Sequence, residues 1–170
     1  LKLELPPELK IEEFNKLNSL LEEKVDIIVA GVSSVGVDWF VNQISKNYKK
    51  NIPIILLTKG LALVEGELMT LSDKIKKLLR EKGHQEVNVS AIKGPCLAVG
   101  LANKMRTGTV IANPDIKEAQ LLKKVISTSY YSTDISDDLT GVELSGAIKN
   151  IYSMLIGASE GLSNSKAPKE

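Results

Sequence analysis

The sequence predicts an α/β fold, with part of a parallel sheet followed by one long helix. Two observations carry that reading. Short, continuous apolar runs alternate with segments whose apolar residues recur at helical spacing, the pattern of strands joined by crossover helices. After Asp138 the alternation stops and a single helical stretch takes over.

Leu1 to Pro7 alternates apolar and polar residues and ends in Pro-Pro, so it reads as an edge strand or a linker. Leu9, Ile11, Phe14, Leu17 and Leu21 then repeat at helical spacing. Val25 to Val32 is an apolar run ending around Gly31, which reads as a buried strand. Trp39, Phe40 and Ile44 suggest a helix to about Asn47, and Ile52 to Leu57 is a second buried strand, with Thr58-Lys59-Gly60 at its carboxyl end. Leu68 to Arg80 reads as a helix with Gly83 as its C-cap. Val87 to Ile92 is a third strand, followed by Lys93-Gly94-Pro95, and Thr109 to Ala112 is a fourth. Asn113-Pro114 fits an N-cap with proline at the first helical position, opening a helix to about Ile126. Tyr130 and Tyr131 belong to a short fifth strand. Thr140-Gly-Val-Glu143 has the spacing of a capping box, and a helix runs from there to about Ser159, which puts a domain boundary near residue 140.

Composition narrows the function. The chain has 170 residues, 43% hydrophobic and 25% charged, as expected of a globular protein. A net charge of +1 supplies no electrostatic case for nucleic acid or a membrane surface. An anionic ligand would have to be held by a few placed cations. Cys96 is the only cysteine, so no internal disulfide can form and a reducing compartment is expected. No apolar run has the length of a membrane helix and no basic-then-apolar leader opens the sequence, so the expected location is cytoplasmic. Leu1 at the start and the polar run from Ser163 to Glu170 read as interior points of a longer protein.

In open α/β sheets, ligands bind beyond the carboxyl ends of the strands. Three segments fall at that edge: Gly31-Val32-Ser33-Ser34, Thr58-Lys59-Gly60 and Gly94-Pro95-Cys96. Glycine there lets a ligand approach the backbone, and lysine can hold an oxyanion. The same residues are also ordinary turn formers, and spacing leaves both readings open. On the long helix, Leu144, Ile148, Ile151 and Leu155 share a face, with Ser145, Lys149 and Tyr152 beside it. The small residues Ser145, Gly146 and Ala147 allow something to pack closely against that turn. A lysine on a close-packed apolar surface surrenders its proton more readily, which suits proton transfer. The helix alone favours a lysine that snorkels to water. His84, the only histidine, follows Gly83 in a turn and reads as exposed. With no second histidine and no clustered cysteines, a transition-metal site is not expected. Asp134, Asp137 and Asp138 precede a helix and suit its dipole, and Lys74, Lys76, Lys77, Arg80 and Lys82 form one solvated face. No G-x-G-x-x-G occurs.

Lys59-Gly60 after one strand, Gly94-Pro95-x-x-Ala98 after another, and Gly141-Val-Glu-x-x-x-Ala-Ile-Lys149-Asn150 opening a helix together resemble NAD(P)-dependent glycerol-3-phosphate dehydrogenases. The similarity extends to Gly161-Leu162 and Ser163-Asn-Ser-Lys166. The resemblance implies a partial Rossmann-like sheet, with residues 1–139 the C-terminal portion of a dinucleotide-binding domain. Residues 140–170 would start a helical, all-α substrate domain. It implies an oxidoreductase of glycerol-3-phosphate metabolism and phospholipid biosynthesis, interconverting dihydroxyacetone phosphate and sn-glycerol 3-phosphate with NAD or NADP. Lys149 would be the general acid/base. Lys59, Gly94, Cys96 and Asn150 would neighbour the substrate, and Gly31, Val32, Ser33, Lys59 and Ala98 the cofactor. A homo-oligomer, or pairing with the segments missing here, is expected. The sequence departs from the family at Cys96, where many bacterial members carry Ser, and at Gly100, where they often carry Glu. It also lacks the Gly-rich turn and most of the C-terminal domain. Two other readings stand beside this one. One is a non-catalytic α/β remnant or half of a split protein, used for binding or assembly. The other is a related β-hydroxyacid or ketopantoate reductase.

Overall fold

The computed structural model describes residues 5–49 and 52–165. The sheet has five strands: β1 (Ile28–Ala30), β2 (Ile54–Leu56), β5 (Val89–Lys93), β6 (Thr107–Ala112) and β7 (Tyr131–Ser136), in that spatial order. A separate hairpin joins β3 (Leu61–Val64) to β4 (Glu67–Thr70). The helices are α1 (Leu17–Glu22), α2 (Val37–Ile44), α3 (Leu71–Glu81), α4 (Ala98–Ala102), α5 (Ile116–Ile126) and α6 (Leu139–Ser165).

Strand alternation divides the core between the two faces of the sheet. Ile54, Leu56 and Val89 meet Leu21, Phe40, Val41, Ile44, Ile75 and Leu79 from α1, α2 and α3. Ile55, Ile92 and Ile111 meet Ala119 and Leu122 of α5 on the opposite face. Burying each such Ile or Leu contributes roughly 1.5–3 kcal/mol. The start of α6 covers a third patch, where Leu139 and Val142 pack on Ala91 and Ala112. Small residues on those strands let the helix sit close.

The predicted α/β architecture is present, with three differences of detail. First, β1, β2 and β5 run parallel and β6 parallels β7, but β5 and β6 are antiparallel. The link between β5 and β6 holds only the five-residue α4, too short to return the chain along the sheet for a parallel pairing. Second, the hairpin interrupts what the spacing predicted as helix from Leu68. Its loop is Glu65-Gly66, both residues at positive φ (53° and 85°), the backbone of a two-residue turn that matches strand twist. Third, residues 5–13 contain no helix, and helical structure begins only at Phe14. Leu9 and Ile11 are exposed there, with no surface for their apolar spacing to bury. The strand or linker expected over Leu1 to Pro7 falls largely outside the described residues.

The helix ends differ from expectation as well. Asp115, not Asn113, caps α5, and Asn113 instead accepts the Asp115 N–H at 2.8 Å. Gly83 does end α3, with its N–H on Arg80 O and that of His84 on Leu79 O. His84 is only partly exposed: Nε2 lies 2.7 Å from Ser45 O and the ring meets Tyr48 edge-on. The capping box at Thr140–Glu143 does not form. Asp138 caps α6 by accepting the Gly141 N–H at 2.8 Å, and Glu143 is left to act elsewhere. Among the described residues no helix is long and apolar enough to cross a membrane.

Candidate active site

Three elements converge at the carboxyl ends of the central strands. The first is the segment after β2. Thr58 is buried, and its hydroxyl donates to Val32 O at 2.6 Å, which ties this strand end to the one after β1. Lys59 follows, exposed, and Gly60 backs onto Ser34. The second is the end of β5, where Lys93 is 5% exposed. Its Nζ donates to Thr58 O at 2.6 Å and to Leu56 O at 3.3 Å. Next to it, Gly94 passes so near β6 that a Cβ would lie 2.7 Å from Thr109 Cα, so no other residue fits without moving the strands. The third is the first part of α6. There Gly146 faces the Lys93 stem, and a Cβ at Gly146 would sit 3.2 Å from Lys93 Cδ.

Between these elements lies a cleft of about 250 Å³. Lys59, Lys93 and Lys149 all line it, and Val110, Val142 and Ser145 contribute the rest of its wall with Gly94, Pro95 and Gly146. Burial pushes the Lys93 ammonium down to about 8, opposed by the Glu143 carboxylate and assisted by Lys59. Glu143 is 1% exposed and accepts the Ser72 N–H at 3.3 Å and the Ser72 hydroxyl. It therefore serves the amino-terminal end of α3, where a carboxylate is favoured by the unpaired N–H groups. This contact couples α6 to α3 across 71 residues of sequence.

Of the residues singled out in the sequence, the cleft unites Lys59, Gly94 and Lys149. It also explains the small residues before Lys149, because Gly146 accommodates the Lys93 stem. Cys96, Ala98 and Asn150 are not among its lining residues, and neither are Gly31, Val32 and Ser33. The last three lie at the end of β1, where Gly31 is exposed and a Cβ would meet nothing within 4 Å. That backbone is open to a ligand's approach, and Ser33 and Ser34 beside it are exposed. The chain offers no glycine-rich turn for a pyrophosphate. Sequence reasoning missed Lys93, which it placed just beyond the third strand and gave no role, whereas it is the last residue of β5. Its signal was parity: in Val89-Ser-Ala-Ile-Lys93, Lys93 shares a face with Val89 and Ala91. Among the described residues no three His, Cys, Asp or Glu side chains are grouped to hold a metal.

Fold and cleft together define a Rossmann-like dinucleotide-binding domain that hands on to a long helix across a lysine-lined site. Residues 2–119 match the family model of the NAD-dependent glycerol-3-phosphate dehydrogenase N-terminus, and the chain belongs to that family. It is 37% identical over 128 residues to the glycerol-3-phosphate dehydrogenase [NAD(P)+] of Mesoplasma florum, covering 75% of this chain and 37% of that protein. It is 29% identical over 144 residues to the NADP(+)-dependent glycerol-3-phosphate dehydrogenase of Archaeoglobus fulgidus, covering 85% and 42%. The crystal structure of the Coxiella burnetii glycerol-3-phosphate dehydrogenase superposes with a TM-score of 0.71 at 27% identity, over 86% of this chain and 42% of that one. The chain thus spans about two fifths of the length of such relatives.

Proposed function

We propose that this chain supplies the proton-transfer part of an enzyme that interconverts dihydroxyacetone phosphate and sn-glycerol 3-phosphate with NAD or NADP. The observation that carries the reading is the meeting of Lys59, Lys93 and Lys149 in one cleft at the carboxyl edge of the sheet. A dianionic ketone phosphate suits three cations, and reduction of a ketone needs a proton at its oxygen. Lys149 is the general acid: its ammonium gives that proton as negative charge develops, and its charge stabilises the nascent alkoxide. In the reverse direction the neutral amine takes the hydroxyl proton. Lys59 holds the anionic end of the substrate, with Gly94 offering backbone beside it. Cys96 and Asn150 directly follow the lining residues Pro95 and Lys149 in the chain and are assigned as outer substrate neighbours. A nicotinamide cofactor, when bound, supplies the hydride. Gly31, Val32, Ser33, Lys59 and Ala98 would border its nicotinamide side.

On this reading residues 1–139 belong to the dinucleotide-binding domain and residues 140–170 begin a helical substrate domain. Membership of the family supports both assignments, as does the passage of α6 away from the sheet. The single cysteine supports a reducing, cytoplasmic setting. The test is oxidation of NADH and NADPH dependent on dihydroxyacetone phosphate, with dihydroxyacetone and ketopantoate as rival substrates. Turnover specific to the phosphate ester, reduced by at least about 100-fold in Lys149→Ala, is the expected result. Preference for ketopantoate would move the chain to the related reductases, and turnover untouched by the substitution would remove Lys149 from the mechanism.

A further inference from the structure

Lys93 is the one buried lysine at the cleft, and the proton transfer and substrate contacts above give it no role of its own. Its surroundings are specific. Two of its three N–H donors point at backbone carbonyls of the β2 strand end, those of Leu56 and Thr58. The Thr58 carbonyl is the one directly preceding Lys59 in the chain. Its stem fills the notch at Gly146, which lies one helical turn before Lys149. Among the described residues no carboxylate comes within ion-pair distance of Nζ. Glu143 is the carboxylate that acts on it, from α6, and its oxygens accept from Ser72. Lys59 acts on it from the β2 end, and Lys149 of α6 lines the same cleft.

We propose that Lys93 is a positioning residue for the reduction and the third cation of the substrate cleft: one side chain fixes the strand end carrying Lys59 against the helix turn carrying Lys149, and its charge, held in no ion pair, draws an anionic substrate into the space between them. The proposal rests on the dehydrogenase reading for the substrate, but its geometry belongs to the cleft alone. The two roles act together. Removing the ammonium frees the Thr58 carbonyl, so Lys59 loses its set position, and it also lowers the positive potential at the floor of the cleft. The charge is lost as pH rises through about 8, so the attraction weakens in that range.

The experiment uses the full-length gene product with Lys93→Met, which keeps the length of the stem and removes the donors and the charge. In steady-state reduction of dihydroxyacetone phosphate, KM rises at least tenfold while kcat falls less. The increase of wild-type KM with a midpoint near pH 8 disappears in the variant. Unchanged KM and an unchanged pH profile would overturn the proposal, whatever happens to thermal stability. Binding of inorganic phosphate to the same two proteins, followed by lysine 13Cε NMR, needs no turnover. Phosphate affinity lower by fivefold or more in Lys93→Met, with the Lys59 resonance displaced, supports the proposal even if dihydroxyacetone phosphate is not the substrate. Equal phosphate affinity with an unmoved Lys59 resonance refutes it. If Lys93→Met does not fold, Gly146→Val displaces the stem and leaves the ammonium. The same rise in KM is then expected, and a wild-type KM counts against the proposal.

Discussion

The two halves of α6 live in different environments. From Leu139 to Ile148 the helix packs Leu139 and Val142 on the sheet, sends Glu143 to α3 and receives the Lys93 stem at Gly146. From Ile151 to Ser163 every residue is exposed, including Ile151, Tyr152, Met154, Leu155, Ile156 and Leu162. Both halves are rich in apolar residues, so hydrophobicity alone does not separate them. What distinguishes the first half is polar: one carboxylate with two donors to satisfy, and a glycine matched to a lysine. An apolar helix face becomes a docked one when such contacts set its register against the rest of the protein.

The largest expected effect is at Glu143. Replacing it with Ala takes the buried Ser72 N–H's acceptor and leaves the Ser72 hydroxyl only Thr70 Oγ1, which should lower unfolding free energy by about 3 kcal/mol in urea titrations. A loss under about 0.5 kcal/mol would mean that α6 does not depend on this contact. Next comes the pH dependence set by Lys93. Its folded-state value is pushed down to about 8 from 10.5, so the folded state carries the whole penalty of burying the charge below pH 8. Between those values the unfolded chain binds more protons, and stability therefore rises with pH, by roughly 2–3 kcal/mol. Lys93→Met should be flat by comparison over that range, as read from the difference between the two urea titrations at each pH.

A smaller effect contrasts the two halves directly through one substitution made twice. Gly157→Ala has nothing within 4 Å to oppose it and should stabilise the chain by roughly 0.5–1 kcal/mol. Gly146→Ala meets Lys93 Cδ at 3.2 Å, so the same helical gain is offset and little net change is expected. Thermal unfolding of the pair decides it, and equal gains would show that Lys93 yields freely. The smallest effect belongs to Met154→Gln, expected to change the stability of this chain by less than about 0.5 kcal/mol because the side chain is 67% exposed.

Most of the scaffold could be read from local pattern. The strands at Val29, Ile55, Val89 and Ile111 announced themselves as apolar runs, and α3, α5 and α6 by their period. The hairpin was hidden because Leu61-Ala-Leu-Val and Glu67-Leu-Met-Thr carry no conventional turn pair between them, and Glu65-Gly66 is a weak turn signal. In the cleft, Lys59 and Lys149 were accessible to reasoning because each sits at a recognisable boundary, a strand end and a helix turn. Lys93 sits at a boundary too, but its importance comes from what surrounds it.

The sequence by itself determined the fold class, the order of the sheet's five strands, the position of the long helix near residue 140, and the place of Lys59 at a strand's carboxyl end. These follow from periodicity and turn chemistry, which act between residues near in the chain. Only the tertiary structure decided the reversal of β6, the transfer of Glu143 from its own helix to the end of α3, and the burial of Lys93 against Gly146. Each of those depends on groups tens of residues apart. A buried carboxylate or ammonium must find its partners wherever packing leaves them, and no local rule names them in advance.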